Sequence, residues 1–261
     1  MWSYNTYAVA KTTVDALMRQ AGSAWYFIST DNAGSISMEV DAANLLRQAG
    51  GTMLGSTRVP LGTTDFASSL LQAQSAGAKV LMVTANGVDQ TNALKQASEF
   101  GLTRQNIRLA STFNDPLLLR ALGQDIADGY MFSTAWYYGM NDETRAFAKR
   151  FMERHPTPPS MFHAGVYSAV SNYLRAIRAA NTAEAQAVMA MLRATPVHDI
   201  FTQDGSVRLD GQMVHTMYLL RGKGRAEMKD EWDLATVVGS LPPDQAFLPL
   251  SASACPLVSH L

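Results

Sequence analysis

The 261-residue chain has a single cysteine, Cys255, which excludes a self-contained disulfide framework and any cysteine-cluster metal site. Its five histidines, His155, His163, His198, His215 and His260, show no HExxH or comparable spacing, so no metal and no cofactor is expected. No stretch approaches ~18 consecutive apolar residues, which excludes a membrane-embedded helix. Charge of one dominant sign is also missing. With 21 Lys and Arg against 22 Asp and Glu, the net charge is −1, and no electrostatic footprint for nucleic acid or an anionic membrane exists. Aromatics are not interleaved with basic residues, which again speaks against nucleic acid.

The usual enzyme signatures are lacking too. No G-x-G-x-x-G follows a strand, and neither G-x-x-x-x-G-K-[ST] nor G-x-S-x-G occurs. No nucleophile stands in a recognisable relation to a histidine, so no catalytic residue is assigned and the chain reads as a non-enzyme. The first seven residues carry neither a basic segment nor the apolar run of about 7–15 residues that opens a secreted protein. Either the protein works in the cytoplasm, or Met1 is not its natural start.

What is present is an ordinary globular composition, 47% apolar and 16% charged, long enough to bury a substantial core. From residue 5 to 135 the pattern alternates helix and strand. Trp25 to Ile28, Met53 to Val59, Val80 to Val83, Ile107 to Ser111 and Tyr130 to Ala135 read as strands, each followed by helical periodicity. Val80-Leu81-Met82-Val83 is continuously apolar, as a strand covered on both faces must be. The fold class is therefore α/β, a doubly wound parallel sheet.

After residue 140 three amphipathic helices follow in a row. Phe147 and Phe151 mark the first, and Phe162, Val166, Val170, Tyr173, Leu174 and Ile177 form a stripe along the second. The third runs from about Ala183 to Arg193. Strands return at Met213 to Leu220 and Leu234 to Val238, and the last twenty residues read as irregular. The expected organisation is an α/β lobe of residues 1–137 and 206–240, a helical insert at 141–205, and a tail at 241–261. The insert has apolar stripes but no sheet of its own. Phe147, Phe151, Tyr173 and Ile177 should therefore present an exposed apolar face.

In an open parallel sheet, ligands bind outside the carboxyl ends of the strands. Those loops bring Asp31 after the first strand and Asn86 and Asp89 after the third. They bring Asn114 and Asp115 after the fourth, and Trp136 and Tyr137 after the fifth. Asp and Asn also cap helices, and every one of these loops precedes one, so capping explains any single residue as readily as ligand binding. Trp-Tyr-Tyr is not a capping sequence; a stacking surface with carboxamide and carboxylate partners suits a small organic ligand.

Longer segments carry a family resemblance. They include Trp25-Tyr26-Phe27 with Thr30-Asp31, Gly55-Ser56-Thr57-Arg58-Val59-Pro60-Leu61 leading to Thr64-Asp65-Phe66, and Leu70-Leu71-Gln72-Ala73-Gln74. Ala78-Lys79-Val80, Lys95-Gln96-Ala97 with Glu99-Phe100-Gly101, and Asn141-Asp142-Glu143-Thr144-Arg145 follow. Ala164-Gly165-Val166-Tyr167-Ser168-Ala169-Val170 and Asp210-Gly211-Gln212-Met213-Val214-His215 complete the set. In order and spacing, Trp2 to Val258 resembles the type I periplasmic solute-binding proteins of ABC transporters, in the branched-chain amino-acid-binding group.

The resemblance implies two α/β lobes joined by three crossings that close on a small-molecule ligand, and an ABC permease of the inner membrane as partner. It implies Trp2-Ser3-Tyr4 as a first hinge strand, a second crossing near Tyr137–Met140 and a return after about Gly211. It makes residues 141–200 the outer helices of a second lobe whose sheet would lie upstream of Met1, and it suggests an upstream partner for Cys255. Asn86, Asp89, Asn114 and Asp115 stand where ligand-amine or hydroxyl partners lie, and Trp136 and Tyr137 where an aromatic wall lies. The implied function is capture of an amino acid, or of a small carboxylate or amide, aromatic ones included, in the periplasm. A cytosolic ligand sensor on the same fold and a non-functional gene fragment are the competing readings.

Overall fold

The computed structural model describes residues 1–258; His260 and the end of the expected tail lie outside the described residues. In chain order the elements are α1 (Thr6–Gln20), β1 (Ala24–Thr30), α2 (Ala33–Gln48), β2 (Thr52–Val59), α3 (Ala67–Ser75), β3 (Val80–Val83) and α4 (Gly87–Glu99). Next come β4 (Arg108–Phe113), α5 (Pro116–Leu122), α6 (Gln124–Ala127), β5 (Met131–Thr134), α7 (Asp142–Met152), α8 (Met161–Ala180) and α9 (Ala185–Ala194). Last are β6 (Ser206–Val207), β7 (Met213–Val214), β8 (Met217–Gly222), β9 (Ala235–Leu241) and α10 (Pro243–Ala246). The chain divides into two compact units. One comprises Val9–Thr134 and Tyr218–Gly239; the other comprises Met1–Ala8, Ala135–Met217 and the chain from Ser240 onward.

The first unit is built on a seven-stranded sheet of order β2-β1-β3-β4-β5-β8-β9. β1 to β5 pair in parallel, and β8 runs antiparallel to β5, with Phe132 opposite Leu220. The central strands are hydrophobic on both faces because helices cover both; Trp25, Phe27, Ile28 and all four residues of β3 are fully buried. On the edge strand β2 the burial alternates instead. Gly55 is required there: a Cβ at that position would meet the Tyr26 ring at 2.8 Å, beside the register shift between Trp25 and Tyr26. The strand order reverses between β1 and β3, the kind of topological switch point at which such sheets bind ligands.

The second unit packs α7, α8 and α9 around Trp136, Met161, Val188, Val197, Phe201 and Met213, all buried. Capping boxes fix two helix starts, Asn141 with Thr144 for α7 and Ser160 with His163 for α8. The opening residues form no strand. Trp2 Nε1 instead donates to the Ser168 hydroxyl at 3.0 Å, and that hydroxyl donates to Asp199 at 2.7 Å. Gly165 permits the close approach, since a Cβ there would lie 2.1 Å from Ser3 Oγ.

Several expected boundaries move. Residues 206–217 do not join the large sheet: β6 and β7 pair with each other, antiparallel, in a separate two-stranded sheet. The strand expected over 213–220 breaks at His215-Thr216, where the Thr216 amide donates to Asp204 rather than to a neighbouring strand. The chain passes between units four times, after Ala8, Thr134, Met217 and Gly239, rather than at Trp2–Tyr4, Tyr137–Met140 and Gly211. The tail is more ordered than its Pro-rich sequence suggests, for α10 forms and Phe247 is buried with its ring 5.3 Å from that of His215.

The exposed apolar face is real, but its membership differs. Phe147 is buried, its ring 5.9 Å from Trp136 and 5.1 Å from Tyr167, and Phe151 and Ile177 are half-buried. Tyr173 is exposed, together with Phe162, Val166, Val170 and Leu174, the rest of the α8 stripe.

Candidate functional site

At the carboxyl ends of β1 and β3, two loops meet on one hydroxyl. β1 ends in Thr30, whose hydroxyl lies 2.7 Å from that of Ser35. Asn32 caps α2: its Oδ1 accepts from the Ser35 amide, while its Nδ2 donates to Thr30 Oγ1 at 2.7 Å and to Ser35 Oγ at 3.0 Å. From the loop after β3, Asn86 Nδ2 reaches Ser35 Oγ at 3.5 Å. Its Oδ1 is buried and has no hydrogen-bond partner. Although Asn86 precedes α4, its side chain makes no capping bond.

Beneath these loops runs a second polar chain. The Thr84 hydroxyl donates to Ser29 Oγ at 2.7 Å, and Ser29 donates to the buried Glu39 carboxylate. Arg58 completes it with two nitrogens on the same carboxylate at 3.2 and 3.3 Å. Those bonds and the Glu39 charge push the Arg58 guanidinium above its ordinary value. The chain fixes the carboxyl ends of β1, β2 and β3 relative to one another through α2.

The loop after β4 repeats the motif of an unsatisfied carboxamide. Asn114 is buried, and its Nδ2 donates to the Tyr130 hydroxyl at 3.1 Å, while its Oδ1 has no partner. Tyr130 also pairs with the Ser111 hydroxyl, and burial pushes its phenol well above the ordinary range, so it remains neutral. Gln90 of α4 donates to the Phe113 carbonyl at 3.3 Å, which joins the α4 start to this loop.

The sequence-derived residues therefore separate into three groups. Asn86 and Asn114 offer buried acceptors at the ends of the adjacent strands β3 and β4. Asp31 stands at the end of β1 with its side chain exposed and its amide bonded to the Val59 carbonyl. Asp89 and Asp115 are engaged structurally: Asp89 accepts from the Gly62 amide at 3.0 Å, and Asp115 caps α5 through the Leu117 amide at 2.9 Å. Trp136 and Tyr137 belong to the other unit and are buried. Trp136 Nε1 donates to the Ile200 carbonyl at 2.7 Å, and Tyr137 packs on Tyr138 with ring centroids 4.4 Å apart. A strand end that completes a core accounts for both rings.

Sequence reasoning did not single out Ser35 or Glu39. Ser35 bonds to Thr30, at the end of β1, and to Asn32 of the loop that follows, and Glu39 to Ser29 and Arg58 of two strands, pairings that no helical period reveals. Among the described residues, no group of three His, Cys, Asp or Glu side chains could hold a metal ion, and no helix is long and apolar enough to cross a membrane.

A 2-1-3-4-5 run of parallel strands with polar loops gathered at its switch point defines an α/β ligand-binding fold. Residues 1–227 match the family model of the periplasmic binding proteins, and the chain belongs to that family, in its type I, branched-chain amino-acid transporter group. A periplasmic binding protein of Burkholderia mallei is 36% identical, with a TM-score of 0.92 over 98% of this chain and 68% of its own. A branched-chain amino-acid ABC transporter periplasmic ligand-binding protein of Burkholderia xenovorans is 35% identical, with a TM-score of 0.92 over 99% and 69%. An amino-acid ABC transporter substrate-binding protein of Pseudomonas fluorescens shares the fold at 24% identity and a TM-score of 0.87, over 97% and 68%. No curated protein matches the chain. Proteins of this kind bind small molecules and work with a permease, and the family is periplasmic.

Proposed function

We propose that this chain is a non-enzymatic substrate-binding component of an ABC importer, working in the periplasm with an inner-membrane permease, and that its ligand is an amino acid or small amide. The observation that carries the ligand class is the pair of buried carboxamide oxygens, Asn86 Oδ1 and Asn114 Oδ1, left without donors at the carboxyl ends of adjacent strands. A buried acceptor without a partner costs about 1–3 kcal/mol, so a ligand that brings N–H groups recovers that cost on binding. An ammonium or amide supplies such donors; a carboxylate does not. Asp31, exposed at the end of β1, is a carboxylate of the kind that pairs with an ammonium. The amino-acid transporter names of the Burkholderia xenovorans and Pseudomonas fluorescens proteins support the same class.

Trp136 and Tyr137 lend no support to an aromatic platform, since neither ring is exposed. We read the unit of α7–α9 as a partial lobe. Support comes from its exposed α8 stripe and from relatives whose chains extend well beyond the part matched here.

Titration calorimetry with amino acids and with the matching carboxylic acids that lack the amine tests the ligand class. Heat from the amino acids alone is the expected result. Equal binding of the amine-free acids would refute the assignment of Asn86 and Asn114 as donor-seeking groups.

A further inference from the structure

A histidine of the second unit sits in an unusual hydrogen-bonding position. His215, between β7 and β8, is fully buried. Its Nε2 lies 2.8 Å from the Ser3 carbonyl oxygen, and its Nδ1 lies 2.8 Å from the Thr216 carbonyl oxygen. Both neighbours are acceptors only. A neutral imidazole carries one N–H, so it would satisfy one carbonyl and turn a bare nitrogen lone pair on the other. With the ring fully buried, water cannot relieve that opposition. An imidazolium carries two N–H groups and satisfies both carbonyls.

The surroundings supply a countercharge. The Phe201 and Phe247 rings pack against the imidazole in T-shaped arrangements, with centroids at 5.1 and 5.3 Å. Asp204 is the charged group that acts on the ring. Its carboxylate accepts from the Thr216 amide at 3.1 Å, the Thr216 hydroxyl at 2.5 Å and the Thr202 hydroxyl at 2.8 Å. Burial pushes the Asp204 carboxyl up, but these bonds outweigh it and hold the group below its ordinary value, hence ionised. For His215, burial is the largest influence and pushes the ring below the ordinary histidine range, while the Thr216 and Ser3 carbonyls and Asp204 act in the opposite direction. The full burial penalty belongs to a charge stripped of partners. Here each N–H that would carry the charge has an acceptor at 2.8 Å, and the geometry argues against the net effect of burial.

We propose that His215 stands as a buried imidazolium, a cationic staple whose Nε2–H ties the Ser3 segment to the His215–Thr216 turn while its Nδ1–H holds the turn itself. Both segments run into passages of the chain from this unit to the other, after Ala8 and after Met217. The Nε2–H bond to Ser3 joins the two connecting segments, the Nδ1–H bond closes on the neighbouring residue, and loss of one proton releases one of the two. A proton held more tightly in the folded chain than in the unfolded one makes stability greatest below the unfolded histidine value of about 6.5 and lowers it as pH rises through the folded value.

Long-range proton–nitrogen NMR correlation on the full chain at pH 7.5 reads the proton count directly, with His215 assigned from the signal lost in His215→Gln. Two protonated ring nitrogens are expected, and one bare nitrogen would overturn the proposal. Should His215→Gln fail to fold, Asp204→Asn identifies the same ring by moving its titration. Removing the countercharge is expected to lower the pH at which the ring loses its proton by about one unit. A titration unmoved in every histidine would remove Asp204 from the staple and overturn the proposal as stated.

Discussion

The carboxylate of Asp89, in the first turn of α4, accepts a hydrogen bond from the Gly62 amide at 3.0 Å and so clamps the turn that follows β2. Gly62 is in the left-handed region at φ 83°, which few other residues adopt without strain. Asp89 is almost fully buried, and its position near the amino end of α4 also suits the helix dipole. The residue that sequence spacing offered as a ligand contact is thus committed to holding a loop.

That commitment predicts a stability effect. Asp89→Ala frees the Gly62 turn and should lower unfolding stability by about 1–3 kcal/mol, because a charge-assisted bond to a partly buried amide is lost. Asp89→Asn retains an acceptor oxygen and should recover a good part of it. Urea denaturation of the two variants measures the difference; equal losses would show that the hydrogen bond is not what the carboxylate contributes.

Asn86 and Asn114 should behave in the opposite sense. Asn86→Leu keeps the approximate volume but removes the unpartnered oxygen, so the ligand-free protein should be as stable as the parent or more so. Ligand affinity should fall about tenfold or more, as expected for one lost hydrogen bond to a desolvated site. Thermal melting with and without an amino-acid ligand reads both quantities. A variant that loses stability without losing affinity would make Asn86 a structural residue.

The contrast between Asp89 and Asn86 shows how far the sequence could be read. Val80-Leu81-Met82-Val83 announces a doubly covered strand because apolarity on both faces is a local property. The loops that follow such strands are equally legible, since the chain must leave the sheet there. Whether a polar loop residue faces ligand or backbone is decided by a distant partner. The Asp89 partner is 27 residues away in another turn, and the Trp136 partner, the Ile200 carbonyl, is 64 residues away. The hairpin of β6 and β7 was hidden for a related reason, because two-residue strands have too little length to show a period.

Asp204 gives a pH dependence with a definite sign. Its carboxyl is below the ordinary value in the folded chain, with burial opposing and the Thr216 and Thr202 bonds prevailing. The stabilisation is therefore present above the unfolded aspartate value of about 3.9 and is lost as pH falls through the lower, folded value. Asp204→Asn should flatten the acid limb of the stability curve below pH 4. Denaturation midpoints across pH 2–6 test this; an unchanged acid limb would mean other carboxylates govern it.

The α8 stripe yields the prediction with the widest consequence. Val166, Val170 and Leu174 recur at helical spacing and are 63%, 50% and 57% exposed, with Phe162 and Tyr173 extending the same apolar surface. Side chains already in water contribute little to the fold, so Val166→Lys, Val170→Glu and Leu174→Lys should each change stability by no more than about 0.5 kcal/mol. The same changes should abolish binding of a hydrophobic dye and any concentration-dependent self-association, since a continuous apolar patch of this kind drives both. The spacing matters to the argument: three substitutions four residues apart remove the stripe while leaving the buried face of Ala164, Ser168 and Asn172 intact. Losses above about 2 kcal/mol for each variant, the range of a buried aliphatic side chain, would show that the stripe is covered in solution. Small losses together with a vanished dye signal would establish α8 as an open apolar face of this unit.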